Sequence, residues 1–270
     1  MKISIVTISY NQAKFLERAI RSVLEQDYED LEYIIVDPGS TDGSLDIINR
    51  YQHRLAQMLI EPDCGPPDGL NKGFALATGE ILAYINADDA LLPQAVSSAI
   101  RWFKHHPSVD VVVGHGYIVD DTGKIIRRFR SAPFAAWRFA YGAGTVIQQS
   151  TFFRRSAFLA AGGFNVANKT SWDAELYLKM GLNGARIQMV NDYWSIFTLH
   201  PHSISGSQQL VTESQNNHRR YFRMVMGREP QRIDSLWRQI ARIQRWLLDP
   251  IGIKHRLSDK LFGPPPLNLF

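Results

Sequence analysis

The chain has 270 residues, of which 45% are hydrophobic and 21% charged, which is typical of a globular protein with one large α/β core or two small ones. Its single cysteine, Cys64, excludes an internal disulfide, and no uncharged apolar run approaches the roughly 20 residues that span a bilayer. The net charge of +4 is uneven, because residues 1–210 carry 19 Lys and Arg against 21 Asp and Glu, whereas the remainder carries 11 against 5.

The first part of the chain alternates between apolar runs of strand length and segments whose apolar residues have helical spacing. The stretch from Pro38 to Gly43 is typical of a turn in which Thr41 or Asp42 caps the following helix. This alternation predicts an α/β fold with a doubly wound, mainly parallel sheet. The predicted strands are Ile3–Ile8, Leu31–Val36, Leu55–Ile60 and the stretch 79–89, and the predicted helices cover 15–24, a segment ending at Tyr51, and 66–77.

Antiparallel structure is expected to enter in the second part. The run from Tyr117 to Phe129, with Asp121-Thr122-Gly123-Lys124 at its centre, is typical of a β-hairpin. The region 115–150 is also where we expect specificity to be determined. The remaining predictions are helices over 93–105, 156–161 and 172–180 and strands over 109–113 and 150–153.

Two adjacent acids, Asp88 and Asp89, end the fourth predicted strand. Open α/β sheets bind ligands at the carboxyl ends of their strands, and adjacent carboxylates there are tolerated when a cation or a sugar hydroxyl compensates them. The alternative interpretation is a solvated turn, or an N-cap of the helix that contains Pro93.

The first strand is followed by neither a G-x-G-x-x-G sequence nor a phosphate-binding G-x-x-x-x-G-K-[ST] loop. If phosphates bind, Mg²⁺ or Mn²⁺ held by Asp88 and Asp89 is the expected source of the neutralising charge, because these ions prefer carboxylate and phosphate oxygens. Asp37, at the end of the second strand, can accept hydrogen bonds from a base or ribose, with Tyr10 stacking on the base. The alternative for Asp37 is a turn-forming Asx residue.

Several short motifs, in a fixed order, resemble the inverting glycosyltransferases of family 2. Each motif alone is weak, and their ordered combination is specific. They cover residues 3–89 and extend, through later motifs, to about residue 205. The motifs are Ile5-Val6-Thr7-Ile8-Ser9-Tyr10-Asn11, Ile35-Val36-Asp37-Pro38-Gly39-Ser40-Thr41-Asp42-Gly43, Asp68-Gly69-Leu70-Asn71-Lys72-Gly73, Ala77-Thr78-Gly79-Glu80-Ile81, Asn86-Ala87-Asp88-Asp89, Thr151-Phe152-Phe153-Arg154, Gly162-Gly163-Phe164 and the segment around Asp173.

The resemblance implies a type A glycosyltransferase fold, which is Rossmann-like, and a nucleotide-diphosphate sugar donor, with UDP as the expected nucleotide. It implies that base and ribose are gripped at Thr7, Tyr10 and Asp37, and that Asp68 lies near the nucleotide. Asp88 and Asp89 match the family's metal site, where one acid contacts ribose and the other the Mg²⁺ or Mn²⁺ ion. We expect Asp89 to be the firmer ligand. The chain departs from the family at Pro38 and Asn86, where many relatives have Asp.

Inverting transfer needs a base for the acceptor hydroxyl. By resemblance this catalytic residue is Asp173, at the start of a predicted helix, although Trp172 stands where many relatives have an acid. Glu175 is the second choice for the base. The alternative for Asp173 is a helix N-cap or first-turn acid.

Three further residues are carried over from the resemblance. His200, with His202 as a weaker choice, matches a His near the diphosphate that can ligate the metal or donate to phosphate. Gln149 stands where donor or acceptor contacts are expected. Lys72 can contact phosphate. For the histidines the alternative is a structural or solvated surface turn, and for Lys72 a solubilising surface lysine.

We expect a catalytic domain over residues 1–207 and a basic, amphipathic helical tail over 208–270. Between residues 232 and 248 apolar residues share one helical face, as in helices that lie on membranes, pack on their own domain or bind a second subunit. Because Met1 leads directly into a strand, the protein is expected in the cytoplasm, with the inner membrane face as a further location. No nucleic-acid module is recognisable.

The sequence therefore predicts a metal-dependent inverting transferase that moves a sugar to a glycan or lipid-linked acceptor, in polysaccharide or other glycan assembly. A nucleotidyltransferase that forms sugar nucleotides is a second interpretation, but it calls for a Gly-rich basic loop where Tyr10-Asn11-Gln12 stands. A catalytically silent nucleotide-sugar-binding scaffold is a third. Loss of the acids would indicate the scaffold, and Asp37, Asp88, Asp89 and Asp173 are all present.

Overall fold

The computed structural model describes residues 1–201, 203 and 211–264, and these form nine strands and ten α-helices. The strands are β1 (Ile3–Ile8), β2 (Leu31–Asp37), β3 (Gln57–Ile60), β4 (Ile81–Asn86), β5 (Ala90–Leu91), β6 (Val111–Val119), β7 (Ile125–Phe129), β8 (Thr151–Arg154) and β9 (Ile187–Thr198). The helices are α1 (Ala13–Leu24), α2 (Ser44–Tyr51), α3 (Pro66–Leu76), α4 (Ala95–His105), α5 (Ala136–Ala140), α6 (Arg155–Ala160), α7 (Trp172–Leu182), α8 (Val211–Met226), α9 (Asp234–Leu247) and α10 (Pro250–Phe262).

All nine strands belong to one sheet, in the order β3-β2-β1-β4-β8-β6-β9-β5, with β7 paired to β6. Strands β3, β2, β1 and β4 are parallel, and β8 pairs antiparallel with β4 and β6. Ile3 lies opposite Leu31 and Ile81, so β1, β2 and β4 end at the same edge of the sheet. The predicted α/β fold with a mainly parallel sheet is confirmed, and so is the hairpin, which β6 and β7 form.

Side-chain alternation along β4 places successive residues on opposite faces of the sheet. Ile81, Ala83 and Ile85 face the core formed with α1 and α4, whereas Leu82 and Tyr84 face the core formed with α3 and α7. Both faces are therefore covered by helices, which explains the almost continuous apolar composition of the first strands.

Strand β9 was not predicted, although it is the longest in the sheet. Its middle contains Asn191 and Asp192, both exposed, which interrupt the apolar pattern. The alternative helix-cap role for Asp89 is wrong, because the residues after it form β5 and α4 begins only at Ala95. The predicted cap of α2 at Thr41 or Asp42 is wrong, because the N-cap residue is Gly43, although Asp42 Oδ1 accepts from the Ser44 backbone N–H at 3.0 Å.

The C-terminal region is helical, as predicted, and is joined to the rest of the fold. Helix α8 packs on α5 and α7 through buried Tyr221 and Phe222. Asp234 of α9 accepts a hydrogen bond from Tyr141 Oη at 3.0 Å. The expected boundary at 207/208 lies outside the described residues, and no helix in the described part of the chain is both long and apolar enough to cross a membrane.

Glu32 on β2 anchors the start of β4 and makes a testable contribution to stability. Its buried carboxylate accepts from Thr78 N–H at 2.7 Å, from Lys2 Nζ at 2.9 Å and from Ser4 Oγ. Burial alone would raise the pKa of Glu32, but these bonds outweigh it and lower the pKa from 4.5 to about 2. The stabilisation is therefore complete above pH 4.5 and declines as pH falls towards 2.

We expect Glu32→Gln to lower the free energy of unfolding by about 1–3 kcal/mol at neutral pH, and by less near pH 3, in urea titrations. Glu29→Gln, at an exposed position nearby, is the matched control and should change little. A penalty for Glu32→Gln that is equally large at both pH values would contradict the ionised carboxylate as its cause.

Candidate active site

A cavity of about 1000 Å³ opens at the carboxyl edge of the sheet. One wall is formed where β1 and β4 end, and carries Tyr10, Asn86 and Asp88. Another wall is the beginning of α7, with Trp172 and Asp173. Gln149, and Arg127 and Phe129 of β7, complete the polar and aromatic lining. Two of the sequence-predicted acids, Asp88 after β4 and Asp173 in the first turn of α7, therefore line one cavity.

Asp88 lies in the cavity wall beside His200. The His200 Nε2 atom is 3.0 Å from Asp88 Oδ2, and the imidazole packs on Phe15 with 4.9 Å between ring centroids. Arg18 Nη2 donates to the Asp88 carbonyl and to Thr198 Oγ1, each at 2.6 Å. Asp88 and His200 are thus held together although 112 residues separate them in sequence.

Asp89 is completely buried behind this wall. Its carboxylate accepts from Gln149 Nε2 at 2.7 Å, from the Thr198 backbone N–H at 3.0 Å and from Asn86 Nδ2 at 3.2 Å. Burial raises the pKa of Asp89, and the neighbouring charge of Asp88 raises it further. The geometry therefore favours Asp88, rather than the expected Asp89, as the acid that reaches a ligand.

Of the residues predicted to contact the base and ribose, one is exposed at the cavity and two are buried. Tyr10 is 61% exposed at the rim of the cavity, where a base can stack on its ring. Thr7 Oγ1 is buried and accepts from Tyr33 Oη at 2.9 Å. The Asp37 carboxylate is also buried and accepts from Gly39 N–H, Ser40 N–H and Ser40 Oγ, which is the turn-forming role given above as its alternative.

Asp68 and Lys72 lie on α3, outside the cavity lining. Asp68 Oδ2 accepts from the Cys64 backbone N–H at 2.9 Å. Lys72 Nζ donates to the Pro62 carbonyl at 2.7 Å and pairs with Glu61 at 2.8 Å. These partners hold the loop before α3. The structure therefore brings neither the Asp68 nor the Lys72 side chain to the cavity where a nucleotide or phosphate was expected.

Asp173 and Glu175 stand in the same turn of α7 but in different surroundings. Asp173 is half-buried and lines the cavity, and burial raises the pKa of its carboxyl. The Glu175 carboxylate is buried among Asn165, Asn168 and Arg220, all of which donate to it. Only Asp173 is therefore placed to meet a substrate.

Two cavity residues and one half-buried arginine were not predicted from the sequence, and Asn86 was named there only as a departure from the family. Arg127 and Phe129 belong to the hairpin. Arg18 belongs to α1, where the sequence pattern predicts a solvent-exposed side chain, but it bonds the Asp88 carbonyl. Asn86 Oδ1 is buried at the cavity wall and has no hydrogen-bond partner among the residues that the structure describes. An acceptor in that state fits a ligand hydroxyl or an ion-bound water.

The residues present fit a divalent ion in part. In the described part of the chain, no group of three or more His, Cys, Asp or Glu side chains is arranged to hold a metal. Asp88 and His200 supply two adjacent ligands, and Mg²⁺ sites are commonly completed by waters and substrate phosphates. His202 lies outside the described residues.

Comparison with known sequences connects this site to a family. A sequence model of glycosyl transferase family 2 matches residues 4–165. The chain is similar to an uncharacterized glycosyltransferase of Nostoc sp., with 39% identity over 129 residues, which are 47% of this chain and 40% of that protein. It is also similar to a PGL/p-HBAD biosynthesis glycosyltransferase of Mycobacterium tuberculosis, with 27% identity over 223 residues that cover 78% of this chain and 81% of the relative.

Solved structures show the same fold. S. aureus TarS in complex with UDP-GlcNAc superposes with a TM-score of 0.70 at 19% identity, over 97% of this chain and 76% of TarS. The mannosyltransferase PcManGT of Pyrobaculum calidifontis, in complex with GDP-Man and Mn²⁺, superposes with a TM-score of 0.63 at 19% identity, over 98% and 76%. These likenesses confirm the type A glycosyltransferase fold.

The different surroundings of the paired acids predict different effects on stability. Asp89→Asn places an amide N–H₂ against either the Gln149 donor or the Thr198 donor, which bond to different oxygens of Asp89, so we expect a loss of about 1–3 kcal/mol in the free energy of unfolding. Asp88→Asn, the matched change at the cavity wall, should cost less than about 1 kcal/mol. Urea unfolding measures both, and equal losses would contradict the bracing role of Asp89.

Proposed function

Because the chain belongs to glycosyl transferase family 2, we propose that it transfers a sugar from a nucleotide-diphosphate donor to a glycan or lipid-linked acceptor with inversion. The observation that carries this proposal is that Asp88, which is paired with His200, and Asp173 from α7 line one cavity at the carboxyl edge of the sheet. Transfer needs a site for the leaving diphosphate and a base for the acceptor, and the two groups of side chains supply these separately.

The donor is expected to place its base at the rim and its diphosphate beside Asp88. The exposed ring of Tyr10 offers the stacking surface, and Asn86 Oδ1 offers an acceptor for a sugar or ribose hydroxyl. UDP is the expected nucleotide, and the fold is shared both with TarS, in complex with UDP-GlcNAc, and with PcManGT, in complex with GDP-Man.

Asp88 and His200 are the residues proposed to hold Mg²⁺ or Mn²⁺. The ion, when bound, supplies positive charge opposite the diphosphate and so favours its departure. The remaining coordination positions are left for phosphate oxygens and water, in line with the preference of both ions for oxygen ligands. Asp89 stays behind the wall, where it fixes the position of Asp88 through Asn86 and Gln149.

Asp173 is the proposed base. In inverting transfer the acceptor oxygen bonds to the anomeric carbon as the bond to the diphosphate oxygen breaks on the opposite face, and the acceptor proton passes to the base. Burial raises the pKa of Asp173, which strengthens its carboxylate as a proton acceptor. Glu175 cannot share this role in the described geometry, because its oxygens are occupied by Asn165, Asn168 and Arg220.

The donor class is tested by a thermal-shift screen of UDP-, GDP- and dTDP-sugars, each with and without Mn²⁺ or Mg²⁺. We expect UDP-sugars to raise the melting temperature only when a metal is present, because the diphosphate and Asp88 repel each other without it. Asp88→Asn should remove most of the metal-dependent shift. Indifference of the wild-type protein to every nucleotide sugar would overturn the donor proposal.

A second test separates chemistry from binding. Asp173→Asn should lower kcat by at least about a hundredfold, since general-base catalysis contributes on the order of 10²–10⁴-fold, while donor affinity stays unchanged. Asp68→Asn, an acid outside the cavity lining, is the control and should retain activity. Donor binding without turnover in the wild type, across glycan and lipid-linked acceptors, would instead favour a silent scaffold.

The pH dependence follows from the raised pKa of Asp173. The base is active when deprotonated, so kcat/KM should fall as pH decreases through that pKa, which lies above the ordinary 3.8. We therefore expect the acid limb of the kcat/KM profile above the pH at which an exposed Asp titrates. An acid limb at or below pH 3.8 would contradict the assignment.

A further inference from the structure

Helix α9 turns its apolar side away from the protein. Only Asp234 and Ala241 of this helix are buried. The large apolar side chains Leu236, Ile243 and Leu247 are 55%, 60% and 74% exposed. An amphipathic helix on a globular domain ordinarily buries its apolar side. The exposed apolar side of α9 therefore indicates a surface that binds another molecule or a membrane.

Helix α10 continues this surface. Its outward residues Leu257 and Leu261 are 59% and 73% exposed. Lys254 and Lys260, which are also exposed, stand within three or four residues of these leucines along the helix. Lysines that flank apolar residues in this way can extend their ammonium groups to phosphates while the leucines enter an apolar layer.

The C-terminal helices carry an excess of positive charge that is not neutralised by carboxylates. Of the 11 Lys and Arg after residue 210, only Arg220, Arg223 and Arg228 pair with a carboxylate within the described residues, which leaves eight. The five carboxylates of the same region are all engaged. Asp234, Asp249, Asp259 and Glu229 pair with arginines, and Glu213 accepts from the Lys169 backbone N–H.

We propose that the outward side of α9 and α10 docks on the surface of an anionic phospholipid bilayer. The exposed apolar side chains enter the interface, and the unpaired cations meet lipid phosphates. A second copy of the chain is the competing occupant. A two-fold interface through this face would place the same unpaired cations against each other, whereas an anionic lipid surface compensates them.

The docking face is joined to the cavity through β7. Successive side chains of a strand point to opposite sides. Arg127 and Phe129 line the cavity, while Arg128 and Arg130 pair with Asp259 and Asp249 at the C-terminal helices. Docking thus brings the cavity close to the lipid surface. For the acceptor, and resting on the proposed function, this favours the lipid-linked class over a free glycan.

Vesicle co-sedimentation tests the docking without any turnover. The full chain should bind vesicles of equal parts phosphatidylcholine and phosphatidylglycerol, and bind phosphatidylcholine alone at least about tenfold more weakly. The double variant Leu236→Glu/Ile243→Glu should lose more than about tenfold in partitioning, because two apolar anchors become charged. Lys254→Gln/Lys260→Gln should lose about twenty-five-fold, since each cation near an anionic surface contributes roughly fivefold.

Matched changes elsewhere on the surface serve as controls. Leu159→Glu, at a 63% exposed leucine of α6, and Lys104→Gln/Lys124→Gln, at exposed lysines, should bind vesicles as the wild type does. Unchanged melting temperatures show that each variant is folded. Equal binding to both vesicle types, no binding, or a dimer in sedimentation velocity that the α9 variant abolishes would overturn the proposal. Nucleotide-sugar binding measured on the same samples reports on the proposed function separately.

Discussion

The buried carboxylate of Asp89 is the constraint on which the geometry of the site depends. It has no exposed surface and must be satisfied by donors that come from three separate segments, namely Asn86, Gln149 and Thr198. A carboxylate in this position is costly unless all these donors are in place. The end of β4, the segment before β8 and the end of β9 are therefore locked together, and Asp88 and His200 meet because Asp89 lies behind them.

This arrangement explains why the sequence motif alone did not assign the roles of the two acids. Adjacent residues at a strand end point in different directions, and which of them faces the cavity depends on strands that follow 60 and 109 residues later. The motif predicted acids at the carboxyl edge of the sheet, and Asp88 lies in the cavity wall there. It did not predict that Asp88 would face the cavity and Asp89 the interior, because that is decided by tertiary partners.

The parallel half of the fold was predictable because the hydrophobic pattern and the glycine positions of its sequence agree with the strands, helices and close contacts that it forms. Apolar strands and amphipathic helices alternate, and the family's glycines lie where backbones approach closely. A Cβ at Gly79 would stand 2.6 Å from the Ser4 backbone nitrogen, and one at Gly73 would stand 2.6 Å from a methyl group of Val6. Strand β9 was missed for the opposite reason, since exposed Asn191 and Asp192 interrupt its pattern. Asp37, Thr7, Asp68 and Lys72 show that a motif residue can equally hold its own turn, sheet or loop.

The sequence left open whether the C-terminal helices pack on the protein's own domain or present a surface to another partner, and in the structure different helices do each. Helix α8 packs on the protein: Arg220 pairs with Glu175, and Tyr221 Oη donates to the Ser171 carbonyl at 2.7 Å, directly before the turn that carries Asp173. Helices α9 and α10 are attached mainly through ion pairs and keep their apolar sides outward. A tail that only stabilised the catalytic core would gain more by burying those apolar side chains, at roughly 25 cal/mol for each Å² removed from water. Their exposure therefore distinguishes α9 and α10 from α8: α8 supports the turn that carries Asp173, whereas the last two helices leave an apolar surface uncovered within the described residues.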